Sequence, residues 1–270
     1  MVVVTGTMRS GTSMWMQILR AAGIPVLGEA FPGRWKDRLG EANPHGFYES
    51  QFRRGVYFAT NPDLDMGRYV TEEELRGVAV KVFVPGVVRT ERAYIERVVC
   101  TVRNWREFVP SLARLRDLDR GEREPVAAAE PLLPPHLRWW SENYNVVRDA
   151  AYRRYPLLLV SYDAVAAAPD STVPQVISWL GAGDAALAAA AVDPAVRTQL
   201  ATQDRSVPEG VEPEVADALD DIYRRIRRGD PMSTELLDRM NAVHGLVAPR
   251  LHAAADAARR RGARPRPGAA

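Results

Sequence analysis

The stretch Thr7-Met8-Arg9-Ser10-Gly11-Thr12-Ser13 concentrates what an anion site needs: a guanidinium, hydroxyls and a glycine, with a further glycine just ahead at position 6. Glycines let backbone N–H groups converge on one point, and a helix that opens next presents its unpaired N–H groups to the same point. The spacing Gly-x4-Gly is that of a nucleoside-triphosphate loop, yet Thr12-Ser13 stand where such a loop carries Lys-[Ser/Thr], and Arg9 is the cation inside it. The anion therefore need not be the triphosphate of ATP.

A second constellation lies in V-V-C-T-V-R-N-W-R-E-F-V-P-S, where a buried strand ends at Arg103 and a helix opens at Asn104, paired with Glu107 as a capping box. Ser111 stands eight residues beyond Arg103 and two helical turns beyond Asn104, so it shares that helix face and points back toward Arg103. A guanidinium fork with a hydroxyl suits a phosphate monoester, and ligands sit at the carboxyl ends of parallel strands. Pro110 lacks the N–H that would bond the carbonyl of Arg106, so a short first turn or a kink is expected there. Lys81, in V-A-V-K-V-F-V-P, interrupts an apolar run near the end of a strand. An unpaired ammonium buried there would be costly, so it should meet an anion.

Positioning these groups falls to short apolar strands at Val2–Val4, Val78–Val84, Val98–Val102 and Leu157–Val160, rich in β-branched residues or leucine, as strands covered on both faces are. Helical periodicity marks Met14–Ala22, closed by Gly23 and Pro25, then Leu137–Arg154, Glu214–Arg228 and Thr234–Ala258. The alternation predicts an α/β class: a three-layer, P-loop-like fold with a central parallel β-sheet flanked by helices and a helical C-terminal region. Gly28–Thr60, rich in glycine, proline and charge, reads as active-site loops.

At 270 residues and 46% hydrophobic content the chain supports one main domain, taken as 1–252, with a helical part from 184 and a basic, disordered tail at 253–270. A net charge of +2, its excess mostly in that tail, is too mild for nucleic-acid binding by the whole chain. Cys100 is the single cysteine, which excludes internal disulfides, and the four histidines show no metal-ligand spacing. With no charged leader ahead of an apolar core and no apolar run of about 18 residues, neither a signal peptide nor a membrane span is read, and a cytoplasmic location fits.

Together these residues resemble the sulfotransferase family that uses 3′-phosphoadenosine-5′-phosphosulfate (PAPS) as sulfuryl donor. The loop 7–13 looks like the family's 5′-phosphosulfate loop, with Arg9 where a lysine or arginine precedes Ser-Gly-Thr, and Arg103 with Ser111 is similar to its 3′-phosphate motif in order and spacing. V-S-Y-D-A-V-A-A-A-P-D-S-T-V-P-Q-V-I-S-W-L-G resembles its Tyr-Glu-Asp-Leu segment followed by a helix ending in Leu-Gly, which implies Tyr162 near the adenine. The resemblance covers about residues 1–183. It implies donor contacts from Arg9, Ser10, Gly11, Thr12, Ser13, Arg103, Ser111 and Tyr162, no metal, and Lys81 near the sulfuryl group. N-P-H-G-F-Y-E-S resembles the Asn-Pro-x-Gly-aromatic-aromatic-Glu stretch of many bacterial members, whose glutamate enters the acceptor site. That implies Glu49, ahead of His45, beside Phe47 and Tyr48, as the group that takes the acceptor's proton.

The chain also departs from the family. Phe83 stands where cytosolic members carry a catalytic histidine, and Met14 where they carry a tryptophan that stacks on adenine; Trp15, about 100° further round the helix, turns to the core. Their Arg-Lys-Gly segment is missing, with Arg197 or Arg205 as substitutes by position alone. Trp139, Trp140 and Tyr144 read as core or as the wall of an acceptor pocket. The expected activity is in-line transfer to a hydroxyl or amine of a small-molecule or glycan/lipid acceptor. The residues alone leave two alternatives, a small-molecule kinase with a degenerate loop and a non-catalytic nucleotide-binding protein. Neither the acceptor nor the oligomeric state is legible in the sequence.

Overall fold

The computed structural model describes the chain except for residues 34–35, 38–39, 41–42, 63–66, 112–132, 194–209 and 263–270. Five parallel strands, β1 (Val2–Gly6), β2 (Val26–Leu27), β3 (Ala79–Lys81), β4 (Arg97–Val102) and β5 (Leu157–Ser161), form one sheet in the order β2-β3-β1-β4-β5. Strand side chains alternate between faces, and each face of this sheet is apolar. Val3, Val80, Val98, Cys100 and Leu157 belong to one core, whereas Val2, Val4, Ala79, Val99 and Val160 belong to the other. Helices must therefore cover both sides.

On the second face lie α1 (Thr12–Ala21), α6 (Pro169–Leu180) and α7 (Ala185–Ala190), supplying Trp15, Ile18, Val173, Ile177 and Ala188. On the first face lie α2 (Val84–Arg89), α3 (helical over the described residues 105–111), α4 (Pro135–Arg153), α8 (Pro213–Arg228) and α9 (Thr234–Gly262). The short α5 (Tyr162–Ala167) follows β5 without a loop, capped by the hydroxyl of Ser161, which accepts from the N–H of Ala164 at 3.2 Å. Three layers around a parallel sheet are as expected.

Three details differ from the sequence reading. The strand expected over Val78–Val84 stops at Lys81, because Pro85 sits in the first turn of α2, where its fixed φ and missing N–H suit a helix start. Strand β2 has two residues, too short to leave a periodic signal. Helix α9 passes through Pro249 and continues to Gly262, so the first part of the segment expected to be disordered is helical, while 263–270 lies outside the described residues. No helix among the described residues is long and apolar enough to cross a membrane.

Helices α4 and α9 meet through an aromatic stack. Trp139 and Trp140 are fully buried, the Trp140 and Tyr144 rings stack at 5.5 Å, and the Tyr144 and His244 rings stack at 4.2 Å. Trp140 Nε1 donates to His244 Nδ1 at 3.4 Å, which requires an unprotonated Nδ1. Burial holds the pKa of both His244 and His136 below the ordinary 6.5, with Arg148 and His252 adding to the effect at His244. The unfolded chain thus takes up these protons first. Stability is fully present above about pH 6.5 and falls as acidification proceeds from there toward the lowered folded values. Urea midpoints measured between pH 8 and pH 5.5 should show the fall, and His136→Gln with His244→Gln should flatten it.

Candidate functional site

The order β2-β3-β1-β4-β5 puts a switch point between neighbours β1 and β4: the chain leaving β1 returns on the β3 side, and the chain leaving β4 returns on the β5 side. In open parallel sheets such a switch point is where a ligand crevice lies, at the carboxyl ends of the strands. The loop after β1 and the Arg103 segment after β4 line it together.

The loop is built by close backbone approach. A side chain at Gly6 would meet the carbonyl oxygen of Thr101 at 2.3 Å, and Thr101 Oγ1 donates to the carbonyl of Ser10 at 2.9 Å. Ser10 N–H bonds the carbonyl of Thr7 at 3.1 Å, while Arg9 (φ 69°) and Gly11 (φ 99°) take left-handed conformations. Gly11 is the N-cap of α1 and offers no side-chain cap, so the first-turn N–H groups are left for an anion at this positive end of the helix. The hydroxyls of Thr7 and Ser10 are buried without a hydrogen-bond partner. A phosphate-type oxyanion, rich in acceptor oxygens, fits such a donor set.

Arg103 and Ser111 converge as their spacing implies, with Nη1 of the arginine 3.3 Å from the serine Oγ. They also join the first loop. Arg103 Nη1 donates to the carbonyl of Arg9 at 3.3 Å, and Arg9 Nε lies 3.5 Å from Ser111 Oγ. The Arg103 guanidinium sits 4.9 Å over the ring of Tyr162, and a side chain at Gly11 would strike that ring at 2.6 Å. Tyr162 is therefore packed onto the cradle and onto Arg103 at once.

Glu107 differs from the expected capping box. Asn104 Oδ1 does accept from the N–H of Arg106 at 3.0 Å, but the carboxylate of Glu107 reaches the guanidinium of Arg103, at 3.2 Å from Nε and 3.1 Å from Nη2. Sequence reasoning missed this partner, although the Arg-x3-Glu spacing is the signal that finds it. Residues 105–111 are helical through Pro110.

On the β3 side, Lys81 is buried opposite Val4 of β1. Its Nζ donates to Glu49 Oε1 at 2.7 Å, to the carbonyl of Phe47 at 2.9 Å and to Ser13 Oγ at 3.2 Å. The anion it meets is thus a side chain of its own chain. Burial lowers the ammonium pKa and Arg9 lowers it further, while Glu49 opposes both. The segment carrying Glu49 is clamped beside β2: Glu29 and Glu49 exchange backbone hydrogen bonds at 2.9 and 3.1 Å, and Phe47 N–H bonds Ala30 at 2.5 Å. Gly28 is required there, since a side chain would meet the Tyr48 carbonyl oxygen at 2.6 Å. Glu49 is 5% exposed and its Oε2 is buried without a partner. The sequence reading placed this carboxylate beside aromatics alone and did not foresee its pairing with Lys81.

Other candidate residues lie elsewhere. His45 turns to Asp193, 3.3 Å away, with both side chains half-exposed. Phe83 is exposed, and Trp15, like Trp139 and Trp140, is fully buried in the core. Arg197 and Arg205 lie outside the described residues.

No protein-family model matches the chain, and no curated protein matches it in sequence. Among solved structures, the chain is similar to the sulfotransferase domain from the Synechococcus PCC 7002 olefin synthase, at a TM-score of 0.40 and 15% identity, over 90% of this chain and 93% of that one.

Proposed function

We propose that this chain is a sulfotransferase that uses PAPS as donor and modifies a hydroxyl or amine of a small-molecule or glycan/lipid acceptor. The observation that carries the reading is the meeting of two anion-binding groups, loop 7–13 and Arg103 with Ser111, in the crevice between β1 and β4. A donor with a phosphate at each end of its ribose needs both.

In this reading Arg103 and Ser111 hold the 3′-phosphate beside Tyr162. Arg9, the first-turn N–H groups of α1 and the hydroxyls of Thr12 and Ser13 hold the 5′ end, where they stabilise the charge of the leaving phosphate. When bound, the donor supplies an electrophilic sulfur. The acceptor oxygen or nitrogen bonds to that sulfur as the sulfur–oxygen bond to the 5′-phosphate breaks, the bisphosphate leaves, and Glu49 takes the acceptor's proton. Lys81 fixes the other oxygen of Glu49 and ties it to Ser13 of the loop.

Incubation with radiolabelled PAPS and phenols, glycolipids, aminoglycosides or peptides tests the proposal. Label should pass to one of these classes; label that passes to none, with no competition by 3′,5′-adenosine bisphosphate, would overturn it. Glu49→Gln should lower kcat by about 10²- to 10⁴-fold and leave bisphosphate affinity unchanged. Full activity in that variant would move proton removal to His45 or to the substrates themselves.

A further inference from the structure

Helix α8 lies behind the crevice, packed on β5. Two of its side chains, almost one turn apart, reach the two segments that carry Arg103 and Tyr162. Asp220 accepts from Trp105 Nε1 at 2.7 Å and takes Arg106 in a fork, at 3.2 Å from Nε and 2.8 Å from Nη2. These partners stand two and three residues beyond Arg103 in the chain. Tyr223 donates to Asp163 and lies 3.1 Å from Ser161 Oγ, and these two residues flank Tyr162.

Strands β4 and β5 are hydrogen-bonded up to Val102 and Ser161, after which the chain from each departs in its own direction. The stack of Arg103 on Tyr162 forms just beyond that point, where the sheet no longer fixes the spacing of the two segments. Asp220 and Tyr223 bridge it from behind. The bonds of Tyr223 to Asp163 and Ser161 are buried and so shielded from water, while those of Asp220 join a fully buried Trp105 and a mostly buried Arg106 to a carboxylate that keeps one edge in solvent. Burial first, then the neighbouring charge of Asp163, raises the Tyr223 phenol pKa far above its ordinary value, which keeps it a donor.

We propose that Asp220 and Tyr223 are positioning residues: α8 clips the two walls of the crevice and sets the Arg103–Tyr162 stack against Gly11. The C-terminal part of the chain then serves the donor site through two groups that touch no ligand. The choice of ligand in the test rests on the sulfotransferase reading; the clip itself does not.

Calorimetric titration with 3′,5′-adenosine bisphosphate should show about tenfold weaker binding for Asp220→Asn and for Tyr223→Phe. Asp217→Asn, on the exposed side of the same helix, should match the wild type. In the ligand-free protein, amide hydrogen exchange should quicken in both 103–111 and 161–167 for each of the two variants. Asp220→Asn keeps an acceptor for Trp105 and removes the charge, so it reports even where Tyr223→Phe folds poorly. Wild-type affinity in both variants, or faster exchange confined to α8, would overturn the clip. If the wild-type protein takes no bisphosphate, the donor reading fails by itself, and the exchange pattern alone then supports or overturns the clip.

Discussion

Lys81→Met is expected to lower stability to urea by about 3–5 kcal/mol, because it strands a buried carboxylate. Glu49 is almost fully enclosed, Lys81 Nζ bonds its Oε1, and its Oε2 already has no partner. With the ammonium gone, nothing on β3 compensates the charge, and the carbonyl of Phe47 and the hydroxyl of Ser13 lose a donor as well. The double variant Lys81→Met/Glu49→Leu should recover most of that loss, since removing both members of a buried pair costs far less than removing one. It should not recover activity. Equilibrium urea unfolding of the single and double variants makes the comparison, and a single variant as stable as the wild type would mean that the pair is not enclosed as described.

Arg103→Lys is expected to cost about 2 kcal/mol in binding of 3′,5′-adenosine bisphosphate, roughly thirtyfold in affinity, with little loss of fold. Lysine keeps a positive charge opposite Glu107, so the buried carboxylate stays compensated. What it loses is the planar fork, which reaches Ser111, the Arg9 carbonyl and Glu107 simultaneously while lying on Tyr162. Arg103→Ala would confound binding with folding, since it takes from the buried Glu107 carboxylate the guanidinium that bonds it. Calorimetric titration alongside urea unfolding separates the two, and undiminished affinity in Arg103→Lys would remove this arginine from the ligand site.

Much of this arrangement was legible from residue order. Short β-branched runs flanked by helical periods marked the sheet, and the place of Ser111 two turns beyond Asn104 on one helix face marked its return toward Arg103, since both depend on local geometry that a period or an offset encodes. The boundary of β3 was missed because three further apolar residues follow Lys81, and the proline in the first turn of α2 outweighed their strand preference. Long-range pairing is where reading failed. Lys81 was expected to face an anion, but that it would be Glu49, 32 residues earlier, depends on the clamp between Glu29 and Glu49, which no local pattern announces. Asp220 and Tyr223 look like ordinary members of an amphipathic helix; only the packing of α8 on β5 brings them to the backs of Arg103 and Tyr162.

The central claim is that the crevice between β1 and β4 holds a nucleotide with separate 3′ and 5′ anionic groups. Thermal unfolding with 3′,5′-adenosine bisphosphate, set beside ATP with magnesium, tests it most directly. At about a hundred times its Kd the bisphosphate should add roughly 2.7 kcal/mol, raising Tm by about 5 °C or more, while ATP with magnesium gives little shift. A clear rise with ATP and magnesium, and none with the bisphosphate, would contradict the account.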